Sequence, residues 1–166
     1  GGVINIITRS AKRPVEATYT GLYDSYHVQR HNLFVGVKQK GWQSATTGGW
    51  SFQDAYGLRN AGGDVLDTTV VPGNEIWNVS QKLGYTLPSG RWKIEANGTY
   101  NNREQFGEVD GFYNHYKFYK IGGNAQYRFN DAYNLDLAYN HDGYARDEVM
   151  EIGPSKGHHP VYSYLT

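Results

Sequence analysis

The chain has 166 residues, 39% of them hydrophobic, with Lys+Arg and Asp+Glu balanced at 16 each and no Cys. The charge balance leaves no net basic field to attract nucleic acid, and the lack of thiols excludes disulfides, thiol catalysis and Cys-based zinc sites. No stretch approaches the roughly 20 consecutive apolar residues of a membrane-spanning helix. A mean hydropathy of −0.68 is nevertheless compatible with a membrane β-barrel, whose strands alternate lipid-facing and lumen-facing side chains.

The chain opens with Gly1-Gly2-Val3-Ile4-Asn5-Ile6-Ile7-Thr8-Arg9. Two glycines permit a tight turn, and the β-branched run after them favours a short buried strand. Val15, Ala17, Tyr19, Gly21 and Tyr23 then share one face of a predicted strand, and Leu33, Val35 and Val37 one face of the next. Gln39-Lys40-Gly41 turns the chain into residues 42–52, where Trp42, Ser44, Thr46, Gly48, Trp50 and Phe52 alternate with their neighbours. A long polar connection is expected over 54–74.

Alternation is clearest downstream. Trp77, Val79, Leu83, Tyr85 and Leu87 share a face on which Gln81 is the one misfit. Pro88-Ser89-Gly90 is turn chemistry, and Trp92, Ile94, Ala96, Gly98 and Tyr100 resume the apolar face. After a second long connection over 102–114, Ile121, Gly123, Ala125, Tyr127 and Phe129 form a strand. Asn130-Asp131-Ala132 turns it into Tyr133, Leu135, Leu137 and Tyr139, and a third long segment is expected from Gly143 onward. The reading is all-β: seven antiparallel strands whose connections alternate short and long, as in outer-membrane barrels. The short connection at 24–27 departs from that alternation.

Aromatics cluster at strand ends. Trp42, Trp92, Phe129 and Tyr133 flank the tight turns, while Tyr23, Trp50, Trp77, Tyr100 and Tyr139 lie farther along the apolar face. Two girdles at the membrane–water interfaces are predicted. The step from Trp92 to Tyr100 covers about 26 Å of strand, or about 19 Å of depth at a 45° tilt, near the height of a bilayer's apolar band. The soluble alternative, a β-sandwich module for carbohydrate, requires Trp92, Ile94, Leu135 and Leu137 to be buried against a second sheet. The barrel requires them exposed.

The opening nine residues, followed by these hairpins, resemble the segment that closes the plug of TonB-dependent outer-membrane transporters and leads into their first barrel strands. The resemblance implies that residues 1–10 are the C-terminal end of a plug domain. Residues 11–166 would then be the N-terminal part of a transmembrane barrel of about 22 strands. An open sheet cannot stand in lipid with unpaired edges, so the expectation is a piece of a longer protein in the outer membrane of a Gram-negative bacterium. The implied function is import of a scarce nutrient, energised by TonB through an N-terminal region outside this sequence. An iron–siderophore complex is the leading expectation, with haem, cobalamin or a glycan open. Outer-membrane lipid and a small-molecule ligand such as a metal chelate are the other implied partners, with no cofactor. The competing membrane reading is a passive porin-type barrel or a barrel enzyme, which lacks a plug; whether the opening run lies inside or outside the barrel separates this class from the transporter.

Candidate ligand contacts are Tyr56, Arg59, Arg103, Tyr113 and His115, because aromatics stack on planar catecholate or haem groups and Arg pairs with anionic chelates. His27 and His31 would be about 13 Å apart along a strand, too far to share a metal ion. His158-His159 sits in a loop-like setting, Asp64 and Asp67 lack EF-hand spacing, and Glu108 and Asp110 read as solvated loop charges. No nucleophile motif or phosphate loop is present, so no enzyme activity is expected.

Overall fold

The computed structural model describes residues 10–25, 27–59, 65–106, 112–152 and 155–165, and the side chains of 10–25, 27–57, 70–106 and 113–148. Among the described residues there are ten strands: β1 (Val15–Asp24), β2 (Val28–Gln39), β3 (Trp42–Gln53), β4 (Tyr56–Arg59), β5 (Val65–Val71), β6 (Gly73–Thr86), β7 (Trp92–Phe106), β8 (Phe112–Arg128), β9 (Asn134–Ile152) and β10 (Ser155–Leu165). Eight form one antiparallel sheet in the order β1-β2-β3-β6-β7-β8-β9-β10, and β4 and β5 form a separate two-stranded ribbon. The protein is therefore all-β. Among the described residues β1 and β10 are the sheet edges.

Local chemistry explains the hairpins. Lys40 and Gly41 both have positive φ, 47° and 85°, the pair that a two-residue type I′ turn requires to match strand twist. At the second turn Gly90 N–H donates to the Leu87 carbonyl at 2.8 Å, and Leu87 N–H to that of Trp92 at 3.0 Å. At the third, Asn130 Oδ1 accepts from the backbone N–H groups of Ala132 and Tyr133, each at 2.9 Å. The Asn side chain thus replaces a backbone acceptor in the turn.

All seven expected strands occur, and the sheet runs beyond them. The segment expected as a loop over 54–74 holds the β4–β5 ribbon, the 102–114 connection is shortened by extension of β7 and β8, and the segment after Gly143 completes β9 and supplies β10. The ladder shifts register between Pro160 and Tyr162. Pro has no N–H to give to a ladder, so a bulge on an edge strand is where it is tolerated.

The chain reaches β1 across one face of the sheet. Ala11 is buried, and a Cβ placed on Gly36 of β2 would lie 2.9 Å from the Ala11 Cβ. Ser10 Oγ accepts from Lys82 Nζ of β6 at 3.5 Å, so this short segment lies over β2 and β3 to reach the fourth strand in the order. The run 1–9 lies outside the described residues.

Candidate functional site

Register partners point to the same side of a sheet, so the ladders assign each described strand position to one of two surfaces. One surface holds the odd positions of 15–23, 29–39, 77–85, 119–127 and 135–145, with the even positions of 42–52 and 92–102. Over these stretches it carries no Asp, Glu, Lys or Arg. Trp92, Ile94, Leu135 and Leu137 are 39%, 48%, 45% and 59% exposed there. The exposure that a sandwich core forbids is what the structure has. Of the exposed large hydrophobic side chains in the main sheet, Leu22 and Tyr144 fall on the other face.

Aromatic contacts border this apolar belt. Near the tight turns Trp42 lies against Tyr85 at 4.5 Å between ring centroids, Trp92 against Tyr127 at 4.6 Å, and Tyr127 edge-on to Phe129 at 4.7 Å. Towards the other end His31 stacks on Trp50 at 5.3 Å, Trp50 lies 5.8 Å from Trp77, and Tyr19 OH and His31 Nδ1 are 2.6 Å apart. Both indole N–H groups donate to Glu75 Oε1, Trp50 at 2.8 Å and Trp77 at 3.0 Å. Trp92 lies near the lower border, and Asn102 is the register partner of Trp77 at the upper one. Residues 92–102 span about 33 Å of strand, or about 23 Å of depth at a 45° tilt, against an apolar band of about 25 Å. Charged pairs begin at that border: Lys117, in the row of Trp77 and Asn102, lies 3.6 Å from Asp147, and His115–Glu104 at 3.7 Å stands past it.

Gln81 sits inside the belt without an orphaned amide. It accepts from Thr46 Oγ1 at 2.5 Å and donates to Ser44 Oγ at 3.0 Å and the Lys82 carbonyl at 3.2 Å. Lateral bonds of this kind remove the penalty of placing an amide where water is scarce.

The opposite face is polar and tightly packed. Glu95, its side chain 11% exposed, lies 3.2 Å from Lys82 Nζ and 3.4 Å from Lys93 Nζ, and accepts from Gln43 Nε2 at 3.0 Å. Since Lys82 also reaches Ser10, this cluster ties the segment before β1 to the sheet. Near the other end of the same face, Arg103, Tyr116 and Arg146 occupy one row across β7, β8 and β9. Arg103 donates from Nε at 2.9 Å and Nη2 at 2.7 Å to Asn74 Oδ1. Arg146 Nη2 donates to Asn114 Oδ1 at 3.0 Å and Glu148 Oε1 at 2.7 Å. Both guanidiniums lie over the Tyr116 ring, at 5.6 Å and 5.5 Å from its centroid.

The five candidate contacts are not brought together. Tyr56 and Arg59 belong to β4, in the separate ribbon, and the Arg59 side chain lies outside those described. Tyr113 and His115 share a face with Phe106 and Glu104, whereas Arg103 pairs with Tyr116 on the other. A difference of one residue along a strand reverses the face. Among the aromatics, Trp42, Trp50, Trp77, Trp92 and Tyr100 lie on the apolar face, with Phe129 and Tyr133 exposed beside the third turn. Tyr139 faces Gly123, well short of the far end of β9, because that strand runs on to Ile152. Tyr85, Tyr127, Tyr119 and His31 also contribute to the aromatic contacts; Tyr85 and Tyr127 were visible as apolar-face residues beside turns.

Among the described residues no group of three or more His, Asp or Glu is placed to hold a metal ion. His158, His159 and Asp67 have side chains outside those described, and Asp64, Glu108 and Asp110 lie outside the described residues altogether. A scan against protein-family models finds no match, and a search of curated proteins finds none.

Proposed function

We propose that the chain is wall and plug-end of a TonB-dependent outer-membrane receptor that imports a scarce nutrient into a Gram-negative bacterium, with an iron–siderophore complex as the foremost ligand and haem, cobalamin or a glycan as the others. The observation that carries this reading is the division of one sheet into an exposed, uncharged, aromatic-bordered belt and a polar, hydrogen-bonded opposite face. Lipid accepts the first, and a water-filled interior accepts the second. The two open edges call for further strands, because lipid leaves no partner for their N–H and C=O groups.

The segment 10–12 favours a plugged barrel over a passive porin. It crosses the polar face, where Ser10 meets Lys82 and Ala11 packs over Gly36, which is the side from which a plug would hand the chain to the first strand. On this reading TonB engages the rest of the protein, and this part supplies wall and junction. The test is growth of a deletion strain on single iron sources, with and without TonB. Growth that requires both this gene and TonB on at least one source supports the reading; growth that ignores TonB on every source contradicts it.

A further inference from the structure

We infer that Arg103, Tyr116 and Arg146 form a binding site for a small oxyanion ligand, one bearing carboxylate or phosphate groups, on the polar face. Register brings the three side chains into a single row across three strands, although 43 positions separate the two arginines in sequence. The donors of Arg103 go to Asn74 Oδ1, a neutral acceptor, so this bond positions its guanidinium without cancelling its charge. Arg146 shares Nη2 between Asn114, which is 5% exposed, and Glu148. Among the described residues Glu148 is the carboxylate of the group, and the neighbouring positions on this face, Asn74, Asn101, Gln105, Asn114 and Phe118, are uncharged. Two guanidiniums therefore face one carboxylate, and the cluster keeps a positive excess.

A second observation points the same way. Arg146 Nε is buried with no hydrogen-bond partner among the described residues. Such a donor is costly to leave unmade, and the cost is removed when an acceptor reaches it. The Tyr116 ring holds both guanidinium planes by cation–π contact, which reduces the freedom that each would lose on binding. A guanidinium fork matches the two oxygens of a carboxylate or phosphate, whereas a neutral ligand would leave the excess charge uncompensated. The site needs the polar face to be the ligand side of the wall, so it rests on the receptor reading, while its test does not require transport.

The experiment is calorimetric titration of the full-length receptor in detergent with two probes, citrate and inorganic pyrophosphate, at low and high salt. Binding of either probe should weaken with salt. Arg103→Gln and Arg146→Gln should each lower affinity about tenfold, the loss expected for one charge-assisted hydrogen bond. Lys120→Gln, a cation on the same face but outside this row, should bind as the parent does. Failure of both probes to bind, or equal affinity in parent and Arg variants, overturns the site. Arginine variants that lose thermal stability without probe and bind the probes unchanged also overturn it, since the pair would then serve a carboxylate of the receptor itself. TonB-dependent growth is scored separately, so it can stand while the anion site falls.

Discussion

On the apolar face the amide of Gln81 is bonded to Thr46 and Ser44, neutral neighbours on the adjacent strand. On the polar face, one position later, Lys82 reaches a carboxylate and a hydroxyl. The same backbone ladder carries both, so the difference lies in what each side chain meets. Gln81 on the first surface is neutral and satisfied within the protein, as a solvent without hydrogen bonds would demand, while Asn102 Oδ1 at the upper border of the belt is buried without a partner among the described residues. Polar groups on the second are charged and linked in clusters, as a wet interior permits. The contrast also ends along the strands: from the row of Trp50 and Trp77 outward, charged pairs such as Lys117–Asp147 stand on the formerly apolar side. The sheet thus has two faces only over the height of the belt.

Substitutions can break that comparison, beginning with the belt. Ile121 is 58% exposed on the apolar face with Gly98 as its partner. Ile121→Arg should cost roughly 2–4 kcal/mol of stability in lipid, read by denaturant titration of the full-length protein folded into vesicles. Its neighbour Lys120 lies on the polar face, and Lys120→Gln should change stability by less than about 0.5 kcal/mol in the same titration. Equal costs at the two positions would erase the distinction between faces.

The ionic cluster gives the next largest effect. Glu95→Ala leaves Lys82 and Lys93 together without their shared carboxylate, and should destabilise by about 1–3 kcal/mol. Adding Lys82→Ala should recover part of that loss, so a double-mutant cycle measures the coupling. Gly36→Val should cost about 1–3 kcal/mol by forcing side-chain atoms into Ala11. It should also speed tryptic cleavage at Lys12–Arg13, because the segment above Gly36 can no longer seat. Apart from the Lys120 control, the smallest expected change is at the aromatic border, where Trp77→Phe removes one of the two indole bonds to Glu75, worth about 0.5–1.5 kcal/mol in the same unfolding titration.

The belt was legible in the sequence because period-two alternation survives wherever one face is apolar. Leu135, Leu137 and Tyr139 against Asn134, Asp136 and Ala138 are sufficient to name a strand. Beyond the belt the signal disappears while pairing continues. Asn102 and Glu104 alternate with Asn101 and Arg103, polar on both faces, yet the ladder still satisfies their backbone groups up to Phe106. That is why β4, β5, β10 and the extensions of β7, β8 and β9 had no pattern to reveal them. The candidate site was readable in one member. Arg103 could be singled out as a cation in a polar stretch, whereas Asn74, Tyr116 and Arg146 become its neighbours only through register, which a single sequence does not state.

The orientation of the two faces towards lipid and water is the central claim, and the lack of native Cys makes it directly measurable. Single substitutions Ile94→Cys, Ile121→Cys and Leu137→Cys on the apolar face, and Lys93→Cys, Lys120→Cys and Asn124→Cys on the polar face, can be introduced into the full-length protein in vesicles. Each is then read by labelling with a water-soluble maleimide and, for a fluorescent adduct, by quenching from spin-labelled lipid. The account predicts slow labelling and strong lipid quenching at the first three positions, with fast labelling and weak quenching at the second three. Fast aqueous labelling at Ile94→Cys, Ile121→Cys and Leu137→Cys, without lipid quenching, would contradict it.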